Sequence, residues 1–144
     1  MCAYKHISQA WRKPSGSFVK EVMRQEVIKW RRDPVIRRID KPTRLDRARS
    51  FGYRAKQGFV VVRVRIRRGG ARKSRPVSGR RQRATGVTKY TRAKSLKEIA
   101  QDRVARRFPN LRAMNSYWVW ADGRNTWFET ILVDPHHPAI RGTV

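Results

Sequence analysis

The sequence is poor in cysteine, in acidic residues and in long apolar runs. Its only cysteine is Cys2, which excludes an internal disulfide and is typical of a protein in a reducing compartment. No run of about eighteen apolar residues occurs, so no membrane-spanning helix is expected. The first residues also lack the continuous apolar stretch of a secretory signal. Together these absences predict a cytoplasmic protein that does not span a membrane.

Acidic residues are scarce relative to basic ones. The chain has 10 Asp and Glu against 36 Lys and Arg, and its formal net charge is +26. Because so few carboxylates cannot pair so many cations, the folded chain would repel itself unless an external polyanion supplied the missing charge. Nucleic acid is the obvious polyanion, and an anionic membrane surface is the second candidate. Residues 51–90 contain no acidic side chain at all, so we expect the main contact there.

The apolar content is sufficient for one modest core. Hydrophobic residues make up 39% of the 144 residues and include five Trp, four Tyr and five Phe, which excludes a wholly disordered chain. This length predicts a single domain over residues 1–144, and the charge of the chain predicts that it is an RNA-binding domain. Within it we expect a helical basic extension over 1–50 and an α+β core over 51–144, with a basic loop over 69–86.

Apolar periodicity predicts the helices of the extension. Tyr4, Ile7 and Trp11 share one face of a short first helix. A second helix is expected from Ser15 or Ser17 to residue 32, before Asp33-Pro34. Its expected apolar stripe consists of Phe18, Val19, Val22, Val27 and Trp30. The spacing of Thr43 and Asp46 is typical of a capping box and predicts a short basic helix from about residue 44.

Alternating side chains over 58–68 give the clearest strand. Val62 and Val64 are expected to face the core, and Arg63 and Arg65 to face RNA. A short returning strand is expected over 87–90. A capping box at Ser95 predicts a helix that reaches residue 108, and two strands over 111–120 and 126–133 follow, joined by an Asp-Gly hairpin turn. The predicted fold class is α+β, with a small, mainly antiparallel sheet packed with helices and long basic loops that thread into RNA.

Three groups of cations are candidate RNA-binding residues. Arg63, Arg65 and Arg67 repeat every ~6.7 Å along one strand face, close to the spacing of phosphates along a nucleic-acid strand; the alternative is a solvated outer sheet face. The loop carries Arg72, Lys73, Arg75, Arg80, Arg81 and Arg83, and it is either ordered by RNA or a flexible linker. The third group interleaves Arg44, Arg47, Arg49, Arg54 and Lys56 with two aromatics. Phe51 and Tyr53 either stack on bases or belong to the core, and the sequence does not decide between them.

Catalytic and metal-binding patterns are not found in the sequence. The three histidines, His6, His136 and His137, and the one thiol do not have metal-site spacing. The pair His136-His137 follows Asp134-Pro135 and is typical of a turn that ends a strand. No phosphate-binding glycine loop and no nucleophile elbow occurs. We therefore expect no enzyme activity, no cofactor, no metal and no small-molecule substrate.

Three separated motifs closely resemble one known family. They are PTRLDRARSFGYRAKQGFVVVRVRIRRGGARK (42–73), NSYWV (115–119) and ILVDPHHPAI (131–140). The family is the archaeal and eukaryotic large-subunit ribosomal protein family "L-fifteen-e", and the FPNLR stretch (108–112) is closest to its archaeal members. The resemblance implies a structural protein of the large ribosomal subunit, with large-subunit rRNA and neighbouring ribosomal proteins as partners. It places the basic motif of the family on Arg44, Arg47, Arg49, Arg54, Lys56, Arg63, Arg65, Arg67 and Arg68.

Two departures from the family pattern concern the end of the chain. Trp120 stands where the family pattern has Gly, so we expect different packing at the hairpin. The family usually continues after residue 140 into a long basic, glycine-rich tail, which is not part of this sequence.

The alternative function, which the residues alone leave open, is a non-ribosomal nucleic-acid architectural protein or RNA chaperone.

Overall fold

The chain forms an α+β fold with a fully antiparallel sheet, as predicted. The computed structural model describes residues 3–70, 74–87 and 91–140. Within these ranges the helices are α1 (Ala3–Arg12), α2 (Val19–Arg32), α3 (Leu45–Ser50) and α4 (Leu96–Arg107). The strands are β1 (Ile36–Ile39), β2 (Phe59–Arg67), β3 (Arg112–Ala121) and β4 (Asn125–Val133). They pair in the order β1-β2-β4-β3. None of the described helices is long and apolar enough to cross a membrane.

Two local sequence signals are confirmed in atomic detail. At the start of α4, Ser95 Oγ accepts the backbone N–H of Glu98 at 3.2 Å, and the Glu98 carboxylate accepts the backbone N–H of Ser95 at 3.0 Å. This is the predicted capping box, which satisfies two helix-end donors reciprocally. In the β3–β4 turn, Asp122 Oδ1 accepts the backbone N–H groups of Arg124 and Asn125 at 2.7 and 2.6 Å. The hairpin therefore closes where the Asp-Gly pair predicted it.

Two expected helix caps and one strand differ from the predictions. The capping box expected at Thr43 is wrong, because α3 begins after Arg44 without a side-chain cap and the Thr43 hydroxyl bonds to Glu129 instead. Ser17 precedes α2 by two residues, and its hydroxyl joins α2 to α1 by accepting Val19 N–H at 3.3 Å and donating to the Ala10 carbonyl at 2.9 Å. Strand β1 was not expected, since four residues give too short a pattern. A returning strand was expected over 87–90, and residues 88–90 of it lie outside the described residues.

The sheet is covered on both faces. On one face Val62 and Val64 are fully buried against Ala100 and Val104 of α4, which confirms that these valines face a core. On the other face Val61, Val119, Trp127 and Ile131 form one cluster with the buried residues of α1 and α2. The segment before residue 50 thus supplies a strand to the sheet and several side chains to this core. Each cluster removes a continuous apolar surface from water, which is the main stabilising contribution to such a fold.

The buried stripe of α2 is shifted from the expected one. Its core residues are Val19, Met23, Val27 and Trp30, whose spacing of four, four and three residues keeps them on one helical face. Phe18 and Val22 are 69% and 50% exposed, so their expected burial is wrong. Phe18 precedes the first turn of α2, and Val22 points about 100° away from the buried face.

Candidate nucleic-acid interface

Arg63, the first arginine of the predicted ladder, lies inside the fold. Its Nη2 is 3.6 Å from Glu129 Oε1 and 3.0 Å from Thr43 Oγ1, and its guanidinium carbon lies 3.7 Å from the centre of the Trp30 ring. Only 13% of the side chain is exposed. The expectation that Arg63 faces RNA is therefore wrong, because α2 covers this face of the sheet. The alternative of a solvated outer face is wrong for the same reason.

Glu129 is the centre of this buried polar network. It is fully buried, and its carboxylate accepts hydrogen bonds from the Tyr117 hydroxyl at 2.7 Å and the Thr43 backbone N–H at 3.0 Å. Burial raises the pKa of Tyr117, and the charge of Glu129 raises it further. The phenol consequently remains a hydrogen-bond donor. Burial lowers the pKa of Arg63, an effect that the nearby Glu129 opposes. The network connects the segment before α3 to the central strands β2 and β4.

The arginines after Arg63, two in β2 and Arg68 directly after it, become more exposed along the chain. Arg65 donates to the carbonyl of Arg31 in the last turn of α2, where a cation is favoured by the helix dipole. Arg68 Nη1 donates to the carbonyl of Asp122 at 2.7 Å. Arg67 and Arg68 are both exposed. The predicted row of equivalent phosphate contacts is therefore reduced to the end of the strand.

A cationic cleft opens where β2 ends. It has a volume of about 1010 Å³, and its floor is made by Ile66, Leu96 and Ile99. The cations that line it are Arg65, Arg67, Arg92, Lys94, Arg103 and Arg124. None of the described residues that line the cleft is acidic, and Lys94 pairs with Asp102 outside that lining. The cleft therefore concentrates positive charge beside a low-dielectric floor, which strengthens attraction for an anion.

Four residues of this cleft were missed by the sequence analysis. Arg92, Lys94, Arg103 and Arg124 come from the α4 region and the hairpin, far from β2 in sequence, and only the tertiary fold brings them to the strand end. One signal could have found Arg103, since it lies four residues after Ile99 on the same face of α4. For the other three we see no local signal.

The basic segment before β2 divides into exposed and packed residues. Arg47, Arg49, Arg54 and Lys56 are exposed. Arg44 is mostly buried: it pairs with Asp46 at 3.3 Å and lies 4.8 Å from the centre of the Trp11 ring. The aromatic residues of this segment belong to the core, as one of the two alternatives held. Tyr53 is buried edge-on against Phe59, and Phe51 stacks on Tyr117.

The predicted basic loop is described only in part. Arg75, Arg80, Arg81 and Arg83 are exposed, and a single 3₁₀ turn (Gln82–Ala84) interrupts the loop. Arg72 and Lys73 lie outside the described residues. The described cations of this loop are thus accessible to a polyanion.

Histidines and acids do not gather into a metal-binding group in the parts of the chain that the structure describes. No group of three or more His, Cys, Asp or Glu residues comes together there. The backbone N–H of His136 donates to Asp134 Oδ1 at 2.9 Å, and that of Ala139 donates to His137 Nδ1 at 3.2 Å. These contacts are those of the predicted turn after β4.

A covered α+β sheet with a strongly cationic surface is typical of the class of proteins that are components of ribonucleoproteins. The sequence matches the family model L15e, described as Ribosomal L15, over residues 2–143. The chain therefore belongs to the ribosomal L15 family, a family of structural proteins of the large ribosomal subunit that function in translation. This is a family of structural proteins and not of enzymes.

Proposed function

We propose that the protein binds and stabilises large-subunit rRNA through a continuous cationic surface and has no catalytic activity. The observation that carries this proposal is the cleft at the end of β2, where six cations meet without an acidic neighbour among the lining residues. Arg44 and Arg63 are omitted from the proposed contacts, because only 11% and 13% of their side chains are exposed and each pairs with an acid inside the fold. The proposed RNA-binding residues of the described chain are Arg47, Arg49, Arg54, Lys56, Arg65, Arg67, Arg68, Arg75, Arg80, Arg81 and Arg83, together with Arg92, Lys94, Arg103 and Arg124 of the cleft. Arg72 and Lys73 remain predicted contacts.

The chemistry of these side chains favours phosphate. Arginine offers planar pairs of N–H donors that match two phosphate oxygens, and its positive charge does not titrate in water. Contact with phosphates releases counterions from the RNA, so affinity depends steeply on salt. Since the chain has 26 excess positive charges, binding also removes self-repulsion from the folded protein.

The proposal is tested by the salt dependence of RNA binding. We expect log K for a large-subunit rRNA fragment to fall linearly with log salt, by roughly 0.7–0.9 per phosphate engaged. Replacing Arg67 and Arg103 by Gln should weaken binding at low salt and flatten the slope by about 1.5. The matched control replaces Lys5 and Arg24 by Gln; both are exposed cations of α1 and α2 and do not line the cleft. An equal loss of slope in both double variants would contradict a role for the cleft.

A second experiment separates the ribosomal function from its alternative. A cytoplasmic protein that is part of the large subunit should co-sediment with large subunits in a sucrose gradient in stoichiometric amount. A non-ribosomal RNA chaperone or architectural protein should instead be found free or with other nucleic acid. A predominantly free pool in lysate at physiological salt would therefore contradict the ribosomal proposal.

A further inference from the structure

Two neighbouring tryptophans are presented at the edge of the sheet. They lie on β3, the outer strand beside β4. The pairing register shifts between Trp118 and Trp120, which oppose the adjacent residues Phe128 and Trp127. Their ring centres are 6.1 Å apart with an interplanar angle of 26°. Trp118 is 37% exposed, whereas Trp11, Trp30 and Trp127 are at most 9% exposed.

The pair forms one wall of an apolar slot. The slot has a volume of about 280 Å³ and is completed by Pro14 and Ser15, from the connection between α1 and α2, together with Lys20 and Ala121. Arg44 Nη1 donates to the Trp118 carbonyl at 3.4 Å and so connects the strand edge to the segment before α3. The slot itself is lined by two stretches of the chain, within residues 14–20 and 118–121.

The charge around the slot favours part of a polyanion as its occupant. Its one charged lining residue is Lys20, and none of its lining residues, all of them described, is acidic. Two acids are adjacent in sequence to lining residues: Asp122 is paired with Arg31 at 2.9 Å, and Glu21 follows Lys20 on α2, about 100° around the helix, without lining the slot. An apolar peptide would use the aromatic wall but would gain nothing from the ammonium group. A nucleotide has both a flat π-face and a phosphate, so it matches both features.

We propose that Trp118, Trp120 and Pro14 form a stacking site for an unpaired nucleobase of RNA, with Lys20 placed to meet the adjacent phosphate. The inference rests on the proposed function, because it takes RNA as the partner of the chain. It adds a contact of a different physical kind, since stacking on an aromatic ring is tolerant of base identity and releases no counterion. Such a site would position one flipped-out nucleotide against the hairpin.

The test compares Trp118→Ala with wild type in binding to a single-stranded RNA of about 12 nucleotides. We expect affinity to fall about tenfold, within the range of one lost base–aromatic stack, with the salt slope unchanged. Binding should also quench tryptophan fluorescence in wild type. Because Trp11, Trp30 and Trp127 are nearly inaccessible, this quenching would report on Trp118 and Trp120. Trp118→Phe should keep most of the affinity. The matched control, Phe18→Ala, removes an even more exposed aromatic ring outside the slot and should leave the affinity unchanged.

The outcomes separate this site from the proposed function. No RNA binding by wild type would overturn the proposed function and this inference with it. If wild type binds but Trp118→Ala binds equally well, the stacking site is wrong, and the slot is then open to an apolar side chain of another protein. A flatter salt slope in Trp118→Ala would mean that Trp118 positions cations that contact phosphate, which also overturns stacking. If Trp118→Ala melts at a lower temperature, Trp118→Phe and an oligonucleotide with abasic positions carry the test: equal affinities for abasic and intact RNA would refute it.

Discussion

Replacement of Glu129 by Gln tests the buried network that joins β2, β4 and the segment before α3. The carboxylate is fully buried and accepts from Tyr117 and Thr43, and it lies 3.6 Å from Arg63. The amide of Gln keeps one acceptor oxygen but turns an NH₂ group toward these donors, and it removes the carboxylate that pairs with Arg63. Removing one partner of a buried ion pair costs about 3–5 kcal/mol. We expect a loss near the lower end, because the Trp30 ring still faces the guanidinium.

The assay is urea unfolding of the free protein, followed by tryptophan fluorescence. A loss of about 3 kcal/mol would be a large part of the 5–15 kcal/mol that holds a typical domain folded. A cycle with Arg63→Met should reveal a coupling of at least about 1 kcal/mol, since the double variant no longer contains an unpaired buried charge. Glu21→Gln on the exposed face of α2 is the matched control and should cost less than about 1 kcal/mol. Additive single effects, or a loss below about 1 kcal/mol for Glu129→Gln, would refute this account of the network.

Two further predictions concern a turn and an ion pair. Gly58→Ala should destabilise the protein by more than about 2 kcal/mol, because Gly58 has φ +90° and an added Cβ would lie 2.6 Å from Ile140 Cγ1. Gly69→Ala, at φ +81° with open space, should cost only about 1 kcal/mol in thermal melts; equal losses would argue against the clash. Partial burial acts to raise the pKa of Asp122, but hydrogen bonds from Asn125, Arg31 and Arg124 and the charge of Arg31 lower it below its usual 3.8. The ionised Asp122 carboxylate therefore stabilises the fold above pH 4, and this stabilisation is lost as the pH falls through the lowered pKa. The difference in unfolding free energy between wild type and Asp122→Asn, measured in urea titrations, should become smaller below pH 4. A difference that stays constant would contradict this.

Local chemistry made much of the fold predictable. The alternation of β2, the capping box at Ser95 and the Asp-Gly turn each depend on residues within a few positions of one another, and each is found in the structure. Helix α3 begins close to the predicted residue, but the capping box at Thr43 was wrong because a distant carboxylate competes for the Thr43 hydroxyl. A residue 86 positions away cannot be read from a four-residue pattern. Strand β1 escaped for a related reason, since its pairing partner β2 and not its own sequence makes it a strand.

The positive charge of the candidate site could be predicted from the sequence, but the arrangement of its side chains could not. Within the run that contains Arg63, Arg65 and Arg67, the alternation assigns all three arginines to one face. It cannot show that Trp30 of α2 covers that face at Arg63 and leaves it open beyond Arg65. The cleft that results depends on Arg92 and Arg103, whose positions follow from the packing of α4 on the sheet.

The few acids of the chain explain why its outer surface remains cationic. Four acids that are less than a fifth exposed, Asp33, Asp46, Asp122 and Glu129, each pair with an arginine. Two of these arginines, Arg44 and Arg63, are themselves mostly buried, whereas Arg31 and Arg37 are more than half exposed. Because a buried carboxylate is stable only beside a counter-charge, each of these acids is neutralised by its own arginine and is not available to the rest of the surface. The arginines of the cleft therefore keep their charge for an external anion, whereas Arg44 and Arg63 stabilise the fold.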